Sequence, residues 1–153
     1  MSVEKLPSGT RGGRRPPSLL ARIFTPLATR MHRRSGDRFQ GLDLLYLTTL
    51  GARSGQRRTT PVARFDDGGG GWIVVASAGG SKQHPGWYHN IVAHPDQVWI
   101  EVAGTTRHVS VDQLDGDARA RAWARVVETA PRFAGYETKT DRMLPVLRLT
   151  PTP

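Results

Sequence analysis

No cysteine occurs anywhere in the sequence. That absence excludes a disulfide scaffold and any thiolate metal or redox centre, so redox chemistry on this chain has to come from a bound cofactor. Long apolar runs are missing too. No window approaches the roughly 20 apolar residues a spanning helix needs, and Arg22 interrupts the one candidate secretory core before it reaches the required ~7 residues. RRPPSLLARIF carries a paired arginine without the rest of a twin-arginine export pattern. These absences predict a cytoplasmic protein.

Acidic residues are scarce in one part of the chain only. Residues 1–64 hold 13 of the 22 Lys and Arg but just Glu4, Asp37 and Asp43 as acids, a local charge of +10, while the remainder is near neutral at −1. Such a concentration implies an anionic partner there: a phosphorylated ligand, a nucleic acid or a membrane surface. The only aromatics near that basic half are Phe24, Phe39, Tyr46 and Phe65, mostly at expected core positions, so nucleic-acid binding by base stacking is poorly supported.

At 153 residues the chain fits one domain. Residues 1–17, rich in Gly, Pro, Ser and Arg, are expected to form a disordered basic tail, leaving 18–153 as a single folded unit. Leu20, Ile23, Phe24, Leu27 and Met31 recur at helical spacing, with Arg22, Arg30, Arg33 and Arg34 mostly off that stripe and Thr25–Pro26 marking a kink. This helix either packs on the domain or lies peripherally on anionic lipid. From Leu42 the period changes. LDLLYLTT (42–49), TPVARF (60–65) and WIVVAS (72–77) read as strands, with DDGGGG (66–71) as a hairpin turn. A short helix follows Pro85 and ends at His94; a hairpin turns at Ala103–Gly104; Asp115 caps a helix through Thr129; LPVLRLTP closes the chain as a strand. The order predicts an α+β domain whose antiparallel sheet, flanked by helices, curls into a barrel.

Several chemistries fall away on spacing. His84, His89 and His94 are five apart, about 140° per step on a helix, so they share no metal-binding face, and no metal is expected. GARSG (51–55) is not a G-x-S-x-G nucleophile elbow, and GARSGQRR lacks the lysine and hydroxyl of a P-loop. No carboxylate pair marks a glycosidase-type site.

What remains is the basic loop GARSGQRR and the stretch ASAGGSKQHPGWYHN (76–90). Arg53, Arg57 and Arg58 can clamp phosphate or carboxylate through paired hydrogen bonds. Ser77, Gly79 and Gly80 leave backbone N–H groups open to an approaching ring or phosphate, and Trp87 and Tyr88 open a helix whose free N–H groups attract anionic oxygens. Together they point to a flat heteroaromatic ligand with an anionic tail; a plain loop with two core aromatics is the alternative.

TTLGARSGQ (48–56), ASAGGSKQHPGWYHN (76–90), HPDQVWIEV (94–102) and TDRMLPV (140–146) also carry a resemblance. In their order and spacing the chain is similar to the deazaflavin-dependent nitroreductase family, the F420H2-dependent quinone reductases of the flavin/deazaflavin oxidoreductase superfamily. The resemblance implies a split β-barrel of the FMN-binding type that binds coenzyme F420, an 8-hydroxy-5-deazaflavin with a phosphate and an oligoglutamate tail. It implies tail contacts at Arg53, Arg57 and Arg58, with Lys82 a further candidate for tail or phosphate and Ser54 a further cofactor contact. It implies a ring groove walled by Ala76, Ser77, Gly79 and Gly80 and closed by Trp87 and Asn90, with further cofactor contacts at Pro61, Ala78, Pro85 and Tyr88. The implied reaction is hydride transfer to a small acceptor such as a quinone, enone or nitroaromatic. Some members place tyrosines three apart over the substrate; Ala130, Phe133 and Tyr136 stand there in this chain, leaving Tyr136 as the candidate proton donor. A split barrel using another flavin, or one that binds F420 without catalysis, is the competing reading, and a basic module for nucleic acid or membrane is a weaker third.

Overall fold

A computed structural model describes residues 3–12, 38–39 and 41–153. The helix expected at 18–34 lies outside the described residues, as do 13–17. Among the described residues eight strands and three α-helices follow, with a short 3-10 turn at Ala78–Gly80: β1 (Arg38–Phe39), β2 (Leu42–Leu50), β3 (Arg57–Ala63), β4 (Phe65–Asp66), β5 (Trp72–Val75), α1 (Gly86–Ala93), β6 (Val98–Val102), β7 (Thr105–Gln113), α2 (Gly116–Thr129), α3 (Arg132–Lys139) and β8 (Val146–Pro151). The expected α+β class and antiparallel sheet are both present. Several elements differ from expectation: β1 was not expected, the strand expected over 60–65 breaks at Arg64, and β5 ends at Val75 rather than Ser77. The β3 strand starts at Arg57 rather than Thr60, and α3 follows α2 after a single break at Ala130–Pro131.

The sheet runs β1-β2-β6-β7-β8-β5-β4, with β3 paired to the other edge of β2. Only Arg64 separates β3 from β4, so one stretch of chain pairs with β2 through its first part and with β5 through its second. That stretch closes the sheet into a barrel while leaving a split between β3 and β5. Pro61 is tolerated in β3 because, among the described residues, that strand pairs with β2 alone, and a proline has no N–H to offer a second partner. Arg64 staples the split. Its N–H donates to Asp43 O (3.0 Å), its Nε to Leu44 O (3.0 Å), and its guanidinium lies 4.8 Å from the Trp72 ring centre.

Period-two alternation sorts the apolar residues into two cores. Leu45, Leu47, Val74, Val98, Ile100, Val109, Val111, Leu147 and Leu149 fill the barrel, which Tyr88 and Ile91 of α1 plug at one end. Leu42, Ile73, Val75 and Val146 face outward and are covered by Ala122 and Val126 of α2 and Phe133 of α3. The LDLLYL run has no polar face because β2 is buried on both sides. Asp115 takes the N-cap position of α2 as expected, though its side chain makes no cap hydrogen bond. Ala103 (φ 50°) and Gly104 (φ 83°) form the left-handed pair that a two-residue hairpin turn demands.

Residues 3–12, expected to be disordered, instead run along the body as a strap. Gly9 N donates to Lys82 O at 2.7 Å, and Thr10 N and Arg11 N donate to Asp141 Oδ1 at 2.8 and 3.0 Å. Composition missed this because the strap is held through its backbone, which any residue type supplies.

Candidate functional site

The split in the barrel is also where a cleft of about 390 Å³ opens. Leu42 and Leu44 of β2, Pro61 to Ala63 of β3 and Val75 of β5 wall it on the sheet side. Ser77, Ala78 and Gly79 form a second wall, Pro85 and Trp87 from the start of α1 a third, and Arg132, Phe133 and Tyr136 of α3 a roof. Of the residues expected to touch cofactor or acceptor, Pro61, Ser77, Ala78, Gly79, Pro85, Trp87 and Tyr136 are thus brought together.

The glycine-rich wall is an unusual piece of backbone. Ala78, Gly79 and Gly80 have φ of 45°, 63° and 82°, three consecutive residues in the left-handed region. A Cβ on Gly79 would meet nothing within 4 Å, so this glycine serves the conformation and keeps the wall low. Gly80 is buried for another reason. A Cβ there would stand 3.0 Å from Lys139 Cβ and 3.1 Å from Tyr136 O, because α3 packs directly on the loop.

Arg142 holds that loop from behind. Only 5% exposed, it donates from Nε to Ser81 O (2.7 Å), from Nη1 to Ala76 O (3.1 Å) and from Nη2 to Ser77 O (2.7 Å). Nη1 also lies 3.0 Å from His84 Nδ1, while His84 Nε2 is 2.8 Å from Leu6 O and 3.1 Å from Pro7 O. Burial foremost, together with the Arg142 charge, lowers the His84 imidazole below its ordinary value against the opposing pull of the Leu6 and Pro7 carbonyls.

Other expected contacts lie elsewhere. Tyr88 is fully buried: its hydroxyl accepts from Leu6 N (3.1 Å) and lies 2.9 Å from Glu4 O and 2.8 Å from Gln113 Oε1, and burial raises its phenol above the ordinary value. Consecutive helical residues point about 100° apart, so Trp87 facing the cleft sends Tyr88 into the core. Ala76 is fully buried and offers Arg142 only its carbonyl. Asn90 braces the 51–56 loop, with Nδ2 donating to Thr49 Oγ1 (3.1 Å) and Oδ1 accepting from Ala52 N (2.9 Å). Ser54 Oγ accepts from Gln56 N within that loop (3.2 Å). Lys82 is exposed and is not among the residues lining the cleft.

The three arginines do not form one clamp. Because β3 begins at Arg57, Arg57 and Arg58 are consecutive in an extended strand and face opposite ways. Arg57 is exposed and stacks 4.5 Å over Trp99, whereas half-buried Arg58 pairs in register with Thr49, the residue Asn90 grips. Arg53 sits exposed on the loop between.

Sequence reasoning missed Arg132, Arg142 and His84. Nothing marked Arg142 as buried, since one more arginine in a basic chain reads as surface charge. Arg132 belongs to α3, an element the periodicity did not predict.

The cleft fits a flat heteroaromatic ring: apolar on the Leu42, Pro61, Val75 and Trp87 sides, low-walled at Gly79, and polar at Ser77 and Tyr136. The sequence model of the F420H2-dependent quinone reductase family matches residues 20–151. An F420H2-dependent quinone reductase of Mycobacterium tuberculosis is 38% identical over 136 residues, covering 86% of this chain and 89% of that protein. The solved structure of an F420-H2 dependent reductase is 36% identical with a TM-score of 0.63, covering 69% of this chain and 92% of the other. A domain-swapped dimer is 32% identical with a TM-score of 0.64, covering 88% and 99%.

Proposed function

Since the chain belongs to the F420H2-dependent quinone reductases and has coenzyme F420 as its cofactor, we propose that the cleft at the barrel's split seats the deazaflavin ring against its acceptor. The observation that carries this reading is the joining of the low wall Ser77–Gly79, the flank Pro85–Trp87 and the phenol of Tyr136 in one cleft. When bound, reduced F420 supplies the hydride; the protein supplies position. Ser77, Ala78 and Gly79 would leave room for the ring, and Pro61 and Trp87 would confine it. Leu42, Leu44 and Phe133 keep water from the acceptor side, where close approach is most of the catalysis. Tyr136 hydrogen-bonds the acceptor oxygen on which negative charge develops.

Quinones are the acceptor class the family points to, and enones and nitroaromatics are further acceptors this apolar cleft suits. The 51–58 segment would hold the polyanionic tail through Arg53 and Arg58, and Arg57, stacked on Trp99, would add charge from the opposite face. Fluorescence titration with F420, followed by turnover of reduced F420 against a panel of quinones, tests the reading. Binding of FMN in place of F420, or F420 binding without turnover of any acceptor, would overturn it. Arg53→Ala with Arg58→Ala is expected to weaken F420 binding by on the order of 2–3 kcal/mol and to flatten its salt dependence. Unchanged affinity would move the tail elsewhere.

Attachment to an anionic membrane surface rests on the 18–34 pattern alone, and no helix among the described residues is long and apolar enough to cross a membrane. Salt-reversible retention by phosphatidylserine liposomes would support attachment, and equal passage through neutral and anionic liposomes would remove it.

A further inference from the structure

The wall of the cleft owes its shape to a guanidinium that never reaches the cleft. Four acceptors surround Arg142: the carbonyls of Ala76, Ser77 and Ser81, and His84 Nδ1. None is a carboxylate. Within a planar trans peptide the C=O and the following N–H point in opposite directions. With the Ala76 and Ser77 carbonyls turned onto Arg142, the N–H groups of Ser77 and Ala78 are turned away from it, and both residues line the cleft. The same grip holds the left-handed run at 78–80 from both ends, since Ser77 and Ser81 flank it. Runs of this kind persist only where the surroundings over-determine them.

His84 completes the device. Its Nε2 faces two carbonyls, Leu6 O and Pro7 O, so Nε2 carries the proton and Nδ1 is left as the acceptor for Arg142. The neighbouring charged and titratable groups fit a neutral ring: Arg142 on one side, Lys5 of the strap, and Tyr88 and His89 of α1 with ring centres 4.7 and 5.9 Å away. Asp141, next in sequence to Arg142, is engaged by Thr10 and Arg11.

We propose that Arg142 is a positioning residue for the cofactor site: its planar fork, kept in place by neutral His84, shapes the 76–81 wall that receives F420. This deepens the reading of the cleft and rests on it. A lysine cannot replace the fork, because one ammonium cannot reach three carbonyls and an imidazole arranged around a plane.

F420 affinity is measured by fluorescence titration on full-length, folded variants. Arg142→Ala is expected to lose affinity by about tenfold or more, and added ethylguanidinium, but not ethylammonium, to restore it. His84→Leu fills the ring's volume without an acceptor and is expected to lose several-fold. His84→Asn, whose Oδ1 overlays the lost Nδ1, recovers most of that loss. Ser77→Trp, which blocks the cleft directly, separates the two levels. Wild-type affinity in Ser77→Trp sinks the cleft reading and the role of Arg142 with it. Loss in Ser77→Trp combined with unchanged affinity in Arg142→Ala, or equal rescue by both small cations, overturns the positioning role alone. Should Arg142→Ala fail to fold, equal affinities in His84→Leu and His84→Asn overturn it.

Discussion

Tyr136 stands one helical turn beyond Arg132, and residues four apart share a helix face, so a phenol and a guanidinium look into the same apolar cleft from α3. The Tyr136 ring rests against Phe133 at 5.1 Å in a T-shaped contact, which fixes the hydroxyl without drawing on it. Tyr136→Phe therefore preserves the packing and removes one donor. Turnover is expected to fall by ~10²-fold while F420 affinity stays within about twofold, since the lost bond matters chiefly as charge develops on the acceptor oxygen. A mutant with wild-type turnover, or one that loses turnover only through cofactor affinity, would make solvent the proton source. At this scale the sequence was legible where a residue type has one use. Gly79 reads as leaving its backbone open, and a Cβ there would meet nothing within 4 Å; Trp87 reads as closing the loop, and it lines the cleft. It was illegible where the same type has two: Tyr88 beside Trp87 looks equally fit for the cleft, and only the rotation of α1 sends it into the core.

Helix α3 and the N-terminal strap bracket the glycine wall from two sides. The helix sits on Gly80, where any Cβ would press on Lys139 and the Tyr136 carbonyl; the strap binds Lys82 and Asp141. Asp141 is the strap's anchor. Hydrogen bonds from the Thr10 hydroxyl and the Arg11 and Thr10 backbone N–H groups hold its carboxyl at about 2, below the ordinary 3.8. The folded value is depressed, so the attachment is in full force above about 3.8 and is lost as pH falls through about 2. Asp141→Asn imitates the acid form at neutral pH. It is expected to expose the strap to trypsin at Arg11 and speed amide exchange at Thr10 and Arg11; protection equal to wild type would place the anchor at His84 instead. Strands and α1 were legible because their period, turns and prolines agree. The start of β3 was not: RR before TTPVA reads as loop, yet pairing with Leu50 and Thr49 draws both arginines into the strand and sends them to opposite faces. No spacing rule in a sequence reveals that division.

For the molecule as a whole, the positive charge of the first 64 residues and the buried cation behind the cleft are different features. The first is a composition effect, visible in a count; the second arises only when residues 6, 76, 77, 81, 84 and 142 meet across the fold, which explains why the barrel was legible and its interior lock was not. That lock makes global stability depend on pH. In the unfolded chain His84 takes up a proton near its ordinary value of 6.5, whereas in the fold burial and Arg142 resist protonation until a lower pH. Between those two values the unfolded state binds more protons, so stability rises with pH there. The contribution is complete above about 6.5 and drains away as pH falls toward the lowered folded value, with a slope of at most about 1.4 kcal/mol per pH unit for a single proton. Asp141 acts in a separate window, below about 3.8, so the two effects do not overlap near pH 6. Urea unfolding at about pH 7.5 and about pH 5.5 isolates the term when wild type is compared with His84→Asn, which keeps an acceptor for Arg142 but does not titrate. Wild type is expected to lose more stability than the variant over that interval. Parallel losses in the two proteins would mean that His84 is protonated in the fold as readily as in the unfolded chain, and the buried neutral imidazole at the centre of the lock would have to be abandoned.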